Sequence, residues 1–147
     1  MKSVFFTMLF GLMIVLSNAA KISAHCEIPC GIYDDELRIK LIAEHATTIE
    51  KSMKLIIELS EKDPVNHNQL VRWISNKETH ADEIQHIVTQ YFMTQRIKPD
   101  VKSYEEELSL LHKMLISTTK CKQTTDLEHV GSIRTLLKKF EDLYFEP

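Results

Sequence analysis

From residue 34 onward, apolar residues return at three- and four-residue spacing and no alternating β-branched run competes, so the chain reads as helix throughout. The first helix is expected from about Asp34, an N-cap residue followed by acidic Asp35 and Glu36, to about Ser60. Its stripe is Leu37, Leu41, Ile49, Met53 and Ile56, with His45 on the same face. Glu61-Lys62-Asp63-Pro64 ends it.

A second helix is expected from about Asn66 to Ile97, striped by Leu70, Ile74, Ala81, Ile84, Val88 and Tyr91. Trp73 and Phe92 lie off that line and predict a wider apolar face with a second surface to cover. After the Lys98-Pro99-Asp100 break, a third helix runs from about Ser103 to Lys120, with Glu105, Glu106 and Glu107 at its start and Leu108, Leu111 and Leu115 as its seam. The fourth, about Thr125 to Phe145, repeats Val130, Ile133, Leu137, Phe140 and Tyr144. Four amphipathic helices joined by short loops predict an all-α fold, an antiparallel four-helix bundle over residues 34–147.

The first 24 residues follow a different rule. Lys2 precedes an apolar block from Val4 to Leu16, interrupted by Thr7 and Gly11, and small residues follow it. That block falls short of the roughly 20 apolar residues that cross a bilayer and has the layout of a secretory signal. Cleavage fits after Ala20 or after Ala24, and only the second makes His25 the new amino terminus. With no twin-arginine pair, the expectation is export of an unfolded chain to the periplasm or outside the cell, processing by signal peptidase, metal uptake there and no membrane segment in the mature form.

Charge narrows the choice of partners. The formal net charge is -3, and losing residues 1–24 removes Lys2 and Lys21 but no acid, so the mature chain is more negative still. Nucleic acid is not an expected partner. Of the three cysteines, Cys121 lies apart in Thr-Lys-Cys-Lys and reads as a bystander.

The other two stand in the stretch with the most chemistry. His25 at a free terminus offers an amine and an imidazole, the Cys26 backbone offers an amide nitrogen, and Cys26 and Cys30 offer thiolates. Amine, amidate and two thiolates suit a square plane, hence Ni(II) or Cu(II) rather than tetrahedral zinc, and leave the imidazole as an axial ligand. Pro29 and Gly31 let so short a segment, residues 25–33, wrap an ion as a metal-binding hook. The rival for an exported protein is a Cys26–Cys30 disulfide, against which the adjoining His25 and the Pro-Cys-Gly turn weigh. Elsewhere, Glu83-x-x-His86 has the spacing of di-iron carboxylate bundles, but Glu128-His129 does not supply the second copy, so these two read as a solvated face. No Cys-x-x-Cys-His for a c-type haem occurs.

His-Cys-x-x-Pro-Cys-Gly-x-Tyr-Asp, from His25 to Asp34, resembles the nickel hook of nickel superoxide dismutases, with Glu27 where that family usually has Asp. The resemblance implies an oxidoreductase that disproportionates superoxide to dioxygen and hydrogen peroxide by Ni(II)/Ni(III) cycling, with one nickel per chain held by His25, Cys26 and Cys30. It implies that Tyr33 sits beside the metal and limits access, that Tyr91 is a second tyrosine of the pocket, and that His80 lies near the hook imidazole. The family's first-helix glutamate aligns near apolar Leu41 and Ile42, with Glu44 as a substitute. A homohexamer is also implied. Local cations must then draw in the anionic substrate, and Lys40, Lys77 and Arg72 are candidates by helix position. Two other classes remain: an exported nickel- or copper-binding protein without catalysis, and a structural bundle with a terminal disulfide.

Overall fold

The computed structural model describes residues 33–145. Helix α1 spans Asp35–Ser60, capped by the Asp34 carboxylate, which accepts the Leu37 N–H at 2.9 Å. Helix α2 spans His67–His86, capped in the same way by Asn66 on Gln69 N–H at 3.1 Å, and passes without a break into a π-helical segment, Ile87–Arg96. Helix α3 spans Tyr104–Gln123, with acids in its first turn and Lys120 and Lys122 in its last, the arrangement a helix dipole favours. Helix α4 spans Glu128–Phe145.

Each helix packs on its neighbours in the chain, and α4 closes the ring on α1. The directions alternate: Asp35 at the start of α1 meets Arg96 after α2 and Tyr144 at the end of α4, while Lys77 in α2 meets the last turn of α3. This is the antiparallel four-helix bundle that the pattern predicts. Phe92, Phe140, Ile42, Ile49, Met53, Ile84, Leu111, Met114 and Ile133 fill its centre. At the end nearest Tyr33, Phe92 stands edge-on to Phe140 at 5.0 Å and to Tyr144 at 5.8 Å.

Besides the α3 seam, which is Leu110, Leu111, Met114, Thr118 and Cys121 with Leu108 and Leu115 half-buried beside it, three expectations need correction. In α1 the buried line is Ile39, Ile42, Ala46, Ile49, Met53 and Ile56, whereas Leu37 is 45% exposed and Leu41 and His45 are half-buried. Steps of four carry a stripe about 40° around the helix each time, so counting back from Ile49 by fours drifts off the face that alternating steps of three and four hold. In α2, Ile74 is exposed and Leu70 half-buried, and the buried residues of this helix begin only at Lys77.

The third correction is that the second helix is not α-helical to its end. The Ile97 N–H donates to Phe92 O at 2.9 Å, five residues back, and the Thr94 and Gln95 side chains reach Thr89 O and Gln90 O at the same offset. The wider turn puts Ile87, Phe92 and Ile97, five apart, on one buried face that an α-helix would split. Phe92 is therefore core, not a second surface. Trp73 is half-buried with the Lys51 ammonium 5.6 Å from its ring, and Ile57 on α1 and Val71 and Ile74 on α2 are exposed apolar residues.

Candidate metal centre

His25, Cys26 and Cys30 lie outside the described residues; Tyr33 is the first residue within them. Its ring meets that of Tyr91 at 6.1 Å, edge to face, and the Arg96 guanidinium lies 4.3 Å from the Tyr33 centroid. The next two residues are fastened hard. The Asp34 N–H donates to the Tyr91 hydroxyl at 3.0 Å, and that hydroxyl donates to Asp35 Oδ1 at 2.5 Å. Arg96 grips the same carboxylate through Nε and Nη2, at 2.9 and 2.7 Å, and the Tyr144 hydroxyl donates to Oδ2 at 2.9 Å.

One carboxylate thus gathers α1, the π segment and α4 at the point where the chain enters the bundle. Burial pushes the Asp35 carboxyl up, but Arg96, Tyr91 and Tyr144 together outweigh it and hold the group below its ordinary value. The two tyrosines are pushed the other way, each to about 12, by burial and then by the Asp35 carboxylate that their protons face. Both keep those protons at neutral pH. The Tyr33 hydroxyl has no hydrogen-bond partner among the described residues, and the residue is 46% exposed.

A separate polar pair lies deeper in the α1–α2 seam. His45 and His80 bring their Nδ1 atoms to 2.8 Å, with ring centroids 5.0 Å apart. His80 is eleven residues before Tyr91, roughly 15 Å along the helix, so the described residues do not bring it to Tyr33. Its partner is His45, and Glu44, the alternative first-helix acid, is exposed. Glu83 and His86 are exposed, and Cys121 is buried in the core, where desolvation raises its thiol to about 11. Among the described residues no three of His, Cys, Asp and Glu come together as a metal site.

A model of the nickel-containing superoxide dismutase family matches residues 20–147, which takes in the His25–Tyr33 stretch and all four helices. The chain belongs to the nickel-containing superoxide dismutases. It is an oxidoreductase that uses nickel and acts on superoxide. No curated protein and no solved structure matches it.

For a superoxide dismutase with an acidic chain, the cations around Tyr33 matter, and the structure redistributes those chosen by helix position. Lys40 is exposed and pairs with Glu36 at 3.5 Å. Lys77 is buried, its ammonium donating to Cys121 O at 2.6 Å and Lys122 O at 2.5 Å, so it caps α3 instead of facing a substrate. Arg72 is exposed in the early turns of α2, remote from Tyr91. The cations beside the two tyrosines are Arg96 and Arg38, the latter with its guanidinium carbon 5.0 Å from the Tyr91 centroid. Sequence reasoning missed both, and missed Asp35 as more than a first-turn acid. The only local signal was the Asp34-Asp35 pair directly after Tyr33, which is also what a helix N-terminus wants.

Proposed function

We propose that this nickel superoxide dismutase holds one nickel per chain in residues 25–33, freed when signal peptidase cuts an exported precursor after Ala24. The donors are the His25 amine and imidazole, the Cys26 amide nitrogen, and the Cys26 and Cys30 thiolates. Their chemistry fits the ion: strong anionic nitrogen and sulfur donors favour a square plane and a higher oxidation state. When bound, the nickel supplies a one-electron couple, Ni(II)/Ni(III), that accepts an electron from one superoxide and returns it to another.

The chain's own residues do the rest. The observation that carries this reading is the clamp on Tyr33-Asp34-Asp35, because a hook of so few residues needs a rigid mount. Cys30 is separated from Tyr33 only by Gly31 and Ile32. The Tyr33 ring, set against Tyr91 and Arg96, narrows the approach to small reactants. Its hydroxyl, without a partner among the described residues, orders the water that brings the two protons peroxide requires, while Tyr91 and Tyr144 commit their protons to Asp35. The exposed Ile57, Val71 and Ile74 support an assembly of several copies, and a homohexamer is the proposed state.

The deciding experiment compares the chain starting at His25 with one carrying an extra residue before it, both loaded with nickel. The parent is expected to show a rhombic Ni(III) paramagnetic signal and rapid superoxide decay, and the extended form neither. Equal activity of the two forms overturns the amine as a ligand. Amino-terminal sequencing of the secreted protein tests the cut, and a terminus at Lys21 overturns it.

A further inference from the structure

Superoxide is a small anion approaching a chain whose net charge repels it, so a cation close to the reacting end has to be unspent. Near Tyr33 the candidates differ in how far a carboxylate already answers them. Arg96 is held bidentate by Asp35, and Lys40 is paired with Glu36. Arg38 makes no ion pair with any described residue. Its guanidinium lies over the face of Tyr91, and its Nε–H is buried with no acceptor among the described residues. A buried donor without a partner costs free energy, and its survival calls for an acceptor that arrives from elsewhere.

We propose that Arg38 is the anion-receiving residue of this dismutase, taking superoxide through its guanidinium N–H groups beside the Tyr33–Tyr91 pair. The planar fork suits a two-oxygen monoanion. The aromatic face holds the charge in place without neutralising it, which a carboxylate would do. The chain's first turn places the group: Asp34 O accepts the Arg38 backbone N–H at 3.2 Å, and Asp34 N–H is itself fixed by Tyr91. This inference rests on the reading that Tyr33 borders the metal.

The test uses the nickel-loaded full mature chain, its Arg38→Gln and Arg38→Lys variants, and azide as a small linear monoanion. In the parent, superoxide decay should slow as ionic strength rises, the sign of local attraction. Arg38→Gln should lose about tenfold in rate at low salt and flatten or reverse that slope, while Arg38→Lys keeps the slope. In the reduced protein, azide should shift one arginine Nε–H resonance in a saturable way, and that resonance should be missing from Arg38→Lys. A parent-like rate and slope in Arg38→Gln overturns the proposal, and so does an Arg38 resonance that azide does not move. A variant that only unfolds at lower temperature, with the slope intact, shows Arg38 to be a brace and overturns it too. Inactive parent protein counts against the hook reading instead, and the azide titration then still judges Arg38.

Discussion

The imidazoles of His45 and His80, 35 residues apart, share a hydrogen bond between their Nδ1 atoms at 2.8 Å across the α1–α2 seam. One ring must donate and the other accept, so the bond requires at least one neutral imidazole. Burial lowers the affinity of His45 for a proton and the charge of His80 lowers it further, against the pull of Glu83 and Glu44.

A folded-state pKa below the ordinary 6.5 means that the unfolded chain takes up the proton first as pH falls. The His45 contribution to stability is therefore complete above about 6.5 and drains away as pH drops through the lower, folded value. Urea unfolding at pH 7.5, 6.5 and 5.5 should show stability falling with acid, and His45→Gln should remove part of that dependence. An unchanged pH slope in the variant contradicts the assignment.

Asp35→Asn removes the charge that Arg96, Tyr91 and Tyr144 all address. Side chains only 14% and 24% exposed make the Asp35–Arg96 pair more than a surface contact. Loss of about 2–3 kcal/mol is expected from the unmet charged hydrogen bonds. The readout specific to the clamp is spectroscopic: ultraviolet titration should show two phenols ionising earlier than the value of about 12 they have in the parent.

Lys77→Met should destabilise without touching the chemistry. The buried ammonium satisfies two terminal carbonyls of α3, and removing it leaves them without a donor, at a cost of about 2–4 kcal/mol. Because Lys77 lies roughly 20 Å along its helix from Tyr91, superoxide decay per bound nickel should equal that of the parent. A lowered rate at full nickel loading would restore Lys77 as a steering residue.

Cys121 should stay inert in the folded protein. With no exposed surface and a thiol pushed up to about 11, it offers almost no thiolate at neutral pH. Mass spectrometry after brief alkylation should find it unmodified until denaturant is added, and rapid labelling in native buffer would refute the burial.

Much of the bundle was legible because its information is local. The α4 line Val130, Ile133, Leu137 and Phe140 is buried as its three-four spacing demands, and the caps Asp34 and Asn66 act within three residues of themselves. The front of α1 runs off its apparent line because Leu41 and Leu37 lie eight and twelve residues back from Ile49, steps of four that each turn about 40° away from the face held by Ile39, Ile42 and Ala46. The π segment left no proline or glycine as a marker. It is visible only once Ile87, Phe92 and Ile97 have a common core to face.

By itself, the amino-acid sequence determined that this protein is a set of four amphipathic helices behind a His-Cys-x-x-Pro-Cys-Gly-x-Tyr terminus. Periodicity, capping and ligand chemistry are all properties of neighbouring residues. Only the tertiary structure decided that Asp35 anchors the entry to the bundle, since its partners Tyr91, Arg96 and Tyr144 lie 56, 61 and 109 residues away. It likewise decided that Lys77 is a cap, that His45 and His80 are a pair, and that Arg38 keeps its charge unanswered among the described residues. Which charges meet, and which are left over, follows from how the helices rotate to bury their apolar faces, and that rotation is settled by packing between helices and not within them.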